Sequence, residues 1–137
     1  MSMMSDDNAA TPAGGNVKDT TDAEFIQDVV EASKDQPVLV DFWAPWCGPC
    51  KSFAPTYEKV SEDHEDIVFA KVNTEEQQQV AAHFQIRSIP TLMIFRDQII
   101  IFSQAGALPE GAFRELIQNH MSVNSVLAIE QEQAGNA

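Results

Sequence analysis

Hydrophobic and polar positions along the chain alternate between short apolar runs and stretches of helical spacing. Val38-Leu39-Val40-Asp41-Phe42-Trp43 is β-branched and aromatic and predicts a buried strand. Ile67–Asn73, Thr91–Phe95 and Ile99–Phe102 read as further strands, and Val17-Lys18-Asp19 as a short one at an edge. Thr21-Asp22-Ala23-Glu24 has the form of a capping box. It opens a predicted helix to about Ser33, with Phe25, Ile26, Val29 and Val30 on the buried side. Phe53, Tyr57 and Val60 at i, i+4 and i+7 mark a second helix, in which Pro55 should introduce a kink. A short helix is predicted around Glu76–Phe84. A final one starts near Pro109, with Phe113, Leu116, Ile117, His120 and Met121 forming one apolar face.

The order β-α-β-α-β-α-β-β-α predicts an α/β fold. Its centre is a mixed four- to five-stranded sheet with helices on both faces, and its βαβ crossovers are right-handed. Residues 17–122 form the single domain expected at this length. Residues 1–16 are small, polar and Gly/Pro-containing and read as a flexible tail. Residues 123–137 read as a second tail, with one extra helical turn around Val126–Ile129 before a disordered end.

Charge narrows the partners. Eight basic against 21 acidic residues give a net charge of −13, which argues against nucleic acid and anionic membranes. No apolar run approaches membrane-spanning length, and the first residues lack the basic-then-apolar pattern of a secretory signal, so the cytoplasm is the expected compartment. The acidic run Glu62-Asp63-His64-Glu65-Asp66 reads as a solvated helix end rather than a metal cluster.

The chemistry lies in Trp46-Cys47-Gly48-Pro49-Cys50-Lys51, which holds the only two cysteines. Two intervening residues leave the thiols close enough for an intramolecular disulfide. A structural staple is a poor explanation, because closing so short a loop removes little unfolded-state entropy. Zinc is another, since one such pair supplies two of four ligands, and His64, His83 and His120 lack the spacing to complete a site. A redox dithiol remains. Cys47 falls where the Val38–Trp43 strand gives way to a helix, and unpaired N–H groups at a helix start favour thiolate over thiol. Pro49 suits a first helical turn whether or not it also tunes the dithiol.

Asp41 is a carboxylate inside an apolar strand, costly to bury unless paired or protonated. Either it sits at a strand edge facing water, or it lies beneath the dithiol and takes the proton of Cys50 when that thiol must attack. Lys71, a charge within another apolar run, is the candidate partner for it.

Asp41-Phe42-Trp43-Ala44-Pro45-Trp46-Cys47-Gly48-Pro49-Cys50-Lys51, with Ile89-Pro90-Thr91-Leu92 downstream, resembles thioredoxin. The resemblance runs from about Val17 to Met121. Within the family, Ala44-Pro45, Ser52-Phe53-Ala54-Pro55 and Arg87-Ser88-Ile89-Pro90 look like the second bacterial branch. That branch carries an N-terminal zinc module with two cysteine pairs. No cysteine precedes Cys47 here, so zinc-linked properties are not carried over and no metal is expected.

The resemblance implies the thioredoxin fold and a protein disulfide reductase that works by dithiol–disulfide exchange without a bound cofactor. Cys47 would be the nucleophile and Cys50 the resolving thiol, alternating with a Cys47–Cys50 disulfide, and Asp41 the general base. Trp46, Gly48, Pro49, Ile89, Pro90 and Gly106 would form the substrate platform. The Ile89–Pro90 bond would be cis, although a proline there could equally just begin a strand. Implied partners are disulfide-bearing proteins and an NADPH-dependent thioredoxin reductase, with the chain itself a monomer. A non-catalytic binding module and a disulfide-forming oxidase are the competing readings; Gly48-Pro49 between the cysteines speaks against the oxidase. Asp97 and Gln98 replace the glycine that thioredoxins usually place in the last hairpin, which predicts a longer or strained turn.

Overall fold

The computed structural model describes residues 14–121. Most of the N-terminal tail and all of the segment after Met121, including the turn expected at Val126–Ile129, lie outside the described residues. Five strands, β1 (Val17–Asp19), β2 (Val38–Trp43), β3 (Val68–Asn73), β4 (Thr91–Arg96) and β5 (Ile99–Ala105), form one sheet in the order β1-β3-β2-β4-β5. β1 and β2 run parallel to β3, while β4 runs antiparallel to β2 and β5. Four helices complete the fold: α1 (Ile26–Glu31), α2 (Gly48–Ser61), α3 (Gln78–His83) and α4 (Glu110–Met121).

β2 is the centre of the sheet and is buried along its whole length, which is why its sequence is apolar on both faces. Alternation splits the core in two. Leu39, Phe69, Leu92 and Ile94 pack under α2 and α4 against Phe53, Tyr57, Val60, Phe113 and Ile117. Val38, Val40, Phe42, Val72, Met93 and Phe95 pack under α1 and α3 against Phe25, Val29 and Val80. Burying each such side chain contributes about 1.5–3 kcal/mol, so both faces are needed to hold the sheet.

Several boundaries differ from the sequence pattern for identifiable reasons. Helix α1 begins after a separate Thr21–Glu24 turn, in which the Glu24 N–H donates to the Thr21 hydroxyl at 3.2 Å. α1 is wound as a π-helix and ends in a 3-10 turn, Ala32–Lys34. Because i→i+5 winding turns less per residue, Val30 swings toward the core and Ile26 away from it. Ile26, expected on the buried side, is 62% exposed.

Asp22, inside the predicted capping box, caps α3 instead. Its carboxylate accepts the Val80 N–H at 2.8 Å and the Gln79 N–H at 3.4 Å. The chain before α3 is taken up by a turn on Asn73, whose carbonyl accepts the Gln77 N–H at 2.8 Å, so α3 starts later than its sequence suggests. β5 continues past Phe102 because Ser103, Gln104 and Ala105 keep pairing with Met93, Leu92 and Thr91. Gly14–Asn16, assigned by composition to the tail, are held on the last turns of α2: Gly14 N–H donates to Glu58 Oε2 at 3.2 Å, and Asn16 N–H to Ser61 Oγ at 3.0 Å.

The hairpin between β4 and β5 keeps its two-residue turn without glycine. Asp97 and Gln98 take φ of 56° and 68°, the left-handed region that side chains resist. Buried Ser33 holds that turn: its carbonyl accepts the Asp97 N–H at 2.7 Å and its hydroxyl the Gln98 N–H at 2.9 Å.

Candidate active site

The site forms where β2 ends and α2 begins. Cys47 occupies the N-cap of α2 with an extended backbone, φ −87° and ψ 113°, and Pro49 sits in the first turn, where its missing N–H costs nothing. The Cys47 Sγ takes the place of a capping oxygen and accepts the Cys50 N–H at 3.2 Å. Any negative charge gained by that sulfur is met by a donor already in position and by the positive end of a helix of 14 residues. Cys47 and Cys50 are joined as a disulfide.

Three other segments converge on the pair. Trp43 and Ala44, from the end of β2, pack with both cysteines and with Ile89. The Ile89–Pro90 peptide is cis, and the Ile89 carbonyl lies 3.8 Å from Cys47 Sγ. Gly106, at φ 106°, donates its N–H to the Pro90 carbonyl at 2.7 Å and ties the end of β5 to this loop. Trp46 is 67% exposed at the rim, Gly48 and Pro49 are exposed, and the cysteines are buried beneath them. The structure thus brings together Cys47, Cys50, Trp46, Gly48, Pro49, Ile89, Pro90 and Gly106 from three places in the sequence.

Asp41 is buried at 1% exposure, so the edge-facing alternative is excluded. Strand alternation puts it between Leu39 and Trp43 on the α2-facing side, two residues from the indole that packs on the dithiol. Neither carboxylate oxygen has a hydrogen-bond partner. Burial pushes its pKa up to about 7, and the charge of Lys71 pulls the other way.

Lys71 is the register neighbour of Asp41 and is also buried. It makes no contact ion pair with Asp41. Its Nζ lies 4.4 Å from the Trp43 ring centroid, so it acts on Asp41 through the field alone.

Two residues escaped the sequence reading. Trp43 read only as strand, although its place just ahead of the motif was a usable signal. Tyr57 read as apolar, yet its hydroxyl lies 2.7 Å from the Ala70 carbonyl and 3.1 Å from that of Leu39, bridging β2 and β3 beside Asp41. Burial, then the negative charge of Asp41, push its pKa well above the ordinary tyrosine value. Among the described residues no group of three or more His, Cys, Asp or Glu could hold a metal ion. No described helix is long and apolar enough to cross a membrane.

A dithiol on a helix N-cap beneath a cis-proline loop has counterparts in known proteins. The thioredoxin family model matches residues 16–119. The chain belongs to the thioredoxin family. A relative from Streptomyces coelicolor is 48% identical over 120 residues, covering 84% of this chain and 87% of that one. Thioredoxin 1 of Synechococcus elongatus is 47% identical over 102 residues, 74% of this chain and 94% of its own. The crystal structure of spinach chloroplast thioredoxin f (short form) superposes with a TM-score of 0.69 at 32% identity, covering 80% of this chain and 97% of that one. As in its family, the chain is a thiol–disulfide oxidoreductase acting by dithiol–disulfide exchange, and Cys47–Cys50 is its redox-active disulfide.

Proposed function

We propose that this thioredoxin-family protein reduces protein disulfides in the cytoplasm as a monomer, with Cys47 as nucleophile, Cys50 as resolving thiol and Asp41 as base. The single observation that carries the assignment is the Cys50 N–H directed at Cys47 Sγ. It singles out Cys47 as the sulfur whose anion the helix start stabilises.

In the reduced protein the Cys47 thiolate attacks a substrate disulfide. One S–S bond breaks, a Cys47–substrate disulfide forms, and the departing substrate sulfur takes up a proton. Cys50 then passes its proton toward Asp41 and attacks Cys47 Sγ. The mixed disulfide breaks, the Cys47–Cys50 disulfide forms, and the substrate leaves with two electrons and two protons gained. Asp41 suits the second step because burial holds its pKa near neutrality, where it can both accept and give up a proton.

Trp46, Gly48, Pro49, Ile89, Pro90 and Gly106 offer a shallow platform on which an extended segment lies against the exposed indole and the Ile89–Gly106 backbone. Such a surface recognises backbone and shape, which fits transient complexes with many substrates. An NADPH-dependent thioredoxin reductase restores the dithiol. No bound cofactor takes part in this scheme.

The test is a Cys50→Ser variant exposed to disulfide-bearing protein. Mixed disulfides accumulating on Cys47 are expected, and their absence overturns the assigned order. The potential of the couple separates reductase from oxidase: thioredoxins lie near about −270 mV and disulfide-donating relatives of the fold near about −120 mV.

A further inference from the structure

The chain is strongly acidic, and nearly all its cations are committed. Of its eight, Lys18 pairs with Asp28, Lys34 with Glu31, Lys59 with Glu110, and Arg114 with both Asp63 and Glu110. Lys71 is buried over Trp43. Arg96 reaches back toward the carbonyls of Ser33 and Lys34. Two remain. Lys51 and Arg87 are exposed and form no ion pair among the described residues.

Both lie at the dithiol. Lys51 follows Cys50 in the first turn of α2, and its N–H donates to the Cys47 carbonyl at 3.1 Å. Arg87 is two residues before Ile89, whose carbonyl lies 3.8 Å from Cys47 Sγ. Two residues of chain span at most about 7 Å. That puts the Arg87 backbone within one screening length of Ile89, about 8 Å at physiological salt, with its exposed side chain extending from there. One cation is carried by the helix that bears the cysteine pair and the other by the cis-proline loop that faces Cys47. Glu75 and Glu76 follow Thr74, whose N–H and hydroxyl are bound to the Trp43 carbonyl on the β3 side, and neither forms an ion pair with Lys51 or Arg87.

We propose that Lys51 and Arg87 make the dithiol selective for disulfides flanked by acidic side chains. The inference rests on the exchange reaction assigned to Cys47 and Cys50 and adds a substrate preference to it. A substrate strand laid along Ile89–Pro90 brings the residues flanking its disulfide within reach of two unneutralised cations. Otherwise a chain of net charge −13 repels an acidic partner at long range. The pair therefore supplies a local exception at the one place where substrates must dock. Each exposed charge pair contributes about 0.2–1 kcal/mol, or roughly 1.4- to 5-fold in rate.

The experiment uses the full chain, reduced and freed of reductant, with three synthetic peptides that share one intramolecular disulfide and carry Glu, Gln or Lys flanks. Each second-order rate is divided by that of dithiothreitol on the same peptide, which removes the peptide's own reactivity. The Glu peptide should exceed the Lys peptide by about 5- to 10-fold at low salt, with the ratio approaching one in 1 M salt. The Lys51→Gln/Arg87→Gln variant should lose most of that ratio while its rate on the Gln peptide changes less than twofold. A wild-type ratio of one or below, or a ratio that the double variant keeps, overturns the inference and leaves the exchange reaction standing. Failure to reduce even the Gln peptide overturns the exchange reading and the inference together.

Discussion

Asp41 and Lys71 face each other across the β2–β3 register, both buried, and yet they do not touch as an ion pair. The lysine ammonium rests on the Trp43 ring, and the carboxylate is left without a hydrogen-bond donor. A fully paired Asp41 would be held ionised and would make a poor proton acceptor near neutrality. The offset geometry gives it the attraction of a nearby cation without that fixation.

This arrangement has a cost that depends on pH. The pKa of Asp41 rises from 3.8 to about 7 on folding, so between those values the folded state binds the extra proton. Stability therefore falls as pH climbs through that window, by about 4 kcal/mol in all from a shift of about three units. Asp41→Asn should be about 2–4 kcal/mol more stable than the parent at pH 9 and close to it at pH 4. Urea unfolding at the two pH values checks this; an equal gain at both would remove titration of Asp41 as the cause.

The kinetic counterpart lies in the second step. Asp41→Asn should slow release of reduced substrate from the Cys47 adduct far more than formation of that adduct. In the parent, release should quicken as pH rises through about 7, where Asp41 ionises. Lys71→Met removes the cation that eases this ionisation and should move the midpoint upward. Rapid-mixing measurements that follow the two steps separately would show it, and an unshifted midpoint would rule Lys71 out of the process.

Tyr57→Phe keeps the ring in its aromatic cluster with Phe53, Phe69 and Phe113 and removes only the hydroxyl shared by the Leu39 and Ala70 carbonyls. The expected loss is about 1 kcal/mol in urea unfolding. A loss near zero would mean that these carbonyls are fully served by the sheet.

Backbone conformation sets apart three positions. Gly106→Ala meets open space but inherits a φ of 106°, and should cost about 1–2 kcal/mol while disturbing the bond to Pro90. Gly48→Ala also meets open space, without a positive φ, and should fall within about 0.5 kcal/mol of the parent. In the opposite direction, Gln98→Gly relieves a side chain held at φ 68° and should stabilise by about 0.5–1 kcal/mol. Thermal or urea unfolding ranks all three.

Much of this was legible before any coordinates. β2 and α2 combine apolar runs, a helix start and a cysteine pair, and these local signals agree with one another. What the sequence hid is relational. Ile26 read as buried because ordinary helical spacing was assumed, whereas π-winding rotates it outward. Ser103–Ala105 carry no apolar pattern and belong to β5 only because β4 supplies backbone partners. Lys71 announced a buried charge but not the direction of its ammonium, which depends on an indole 28 positions earlier in the chain. Asp22 read as part of a local cap, and its partner proved to be α3.

The docking of Gly14 and Asn16 on Glu58 and Ser61 also sets a geometry for tethering. At about 1.5 Å per residue, those anchor points lie roughly 16–21 Å along α2 from Cys47. Cargo joined ahead of Gly14 would depart from the rear of the redox helix, leaving the face that receives substrates unobstructed. A surface-immobilised or fused form linked on that side should accordingly turn over protein disulfides as freely as the untethered chain.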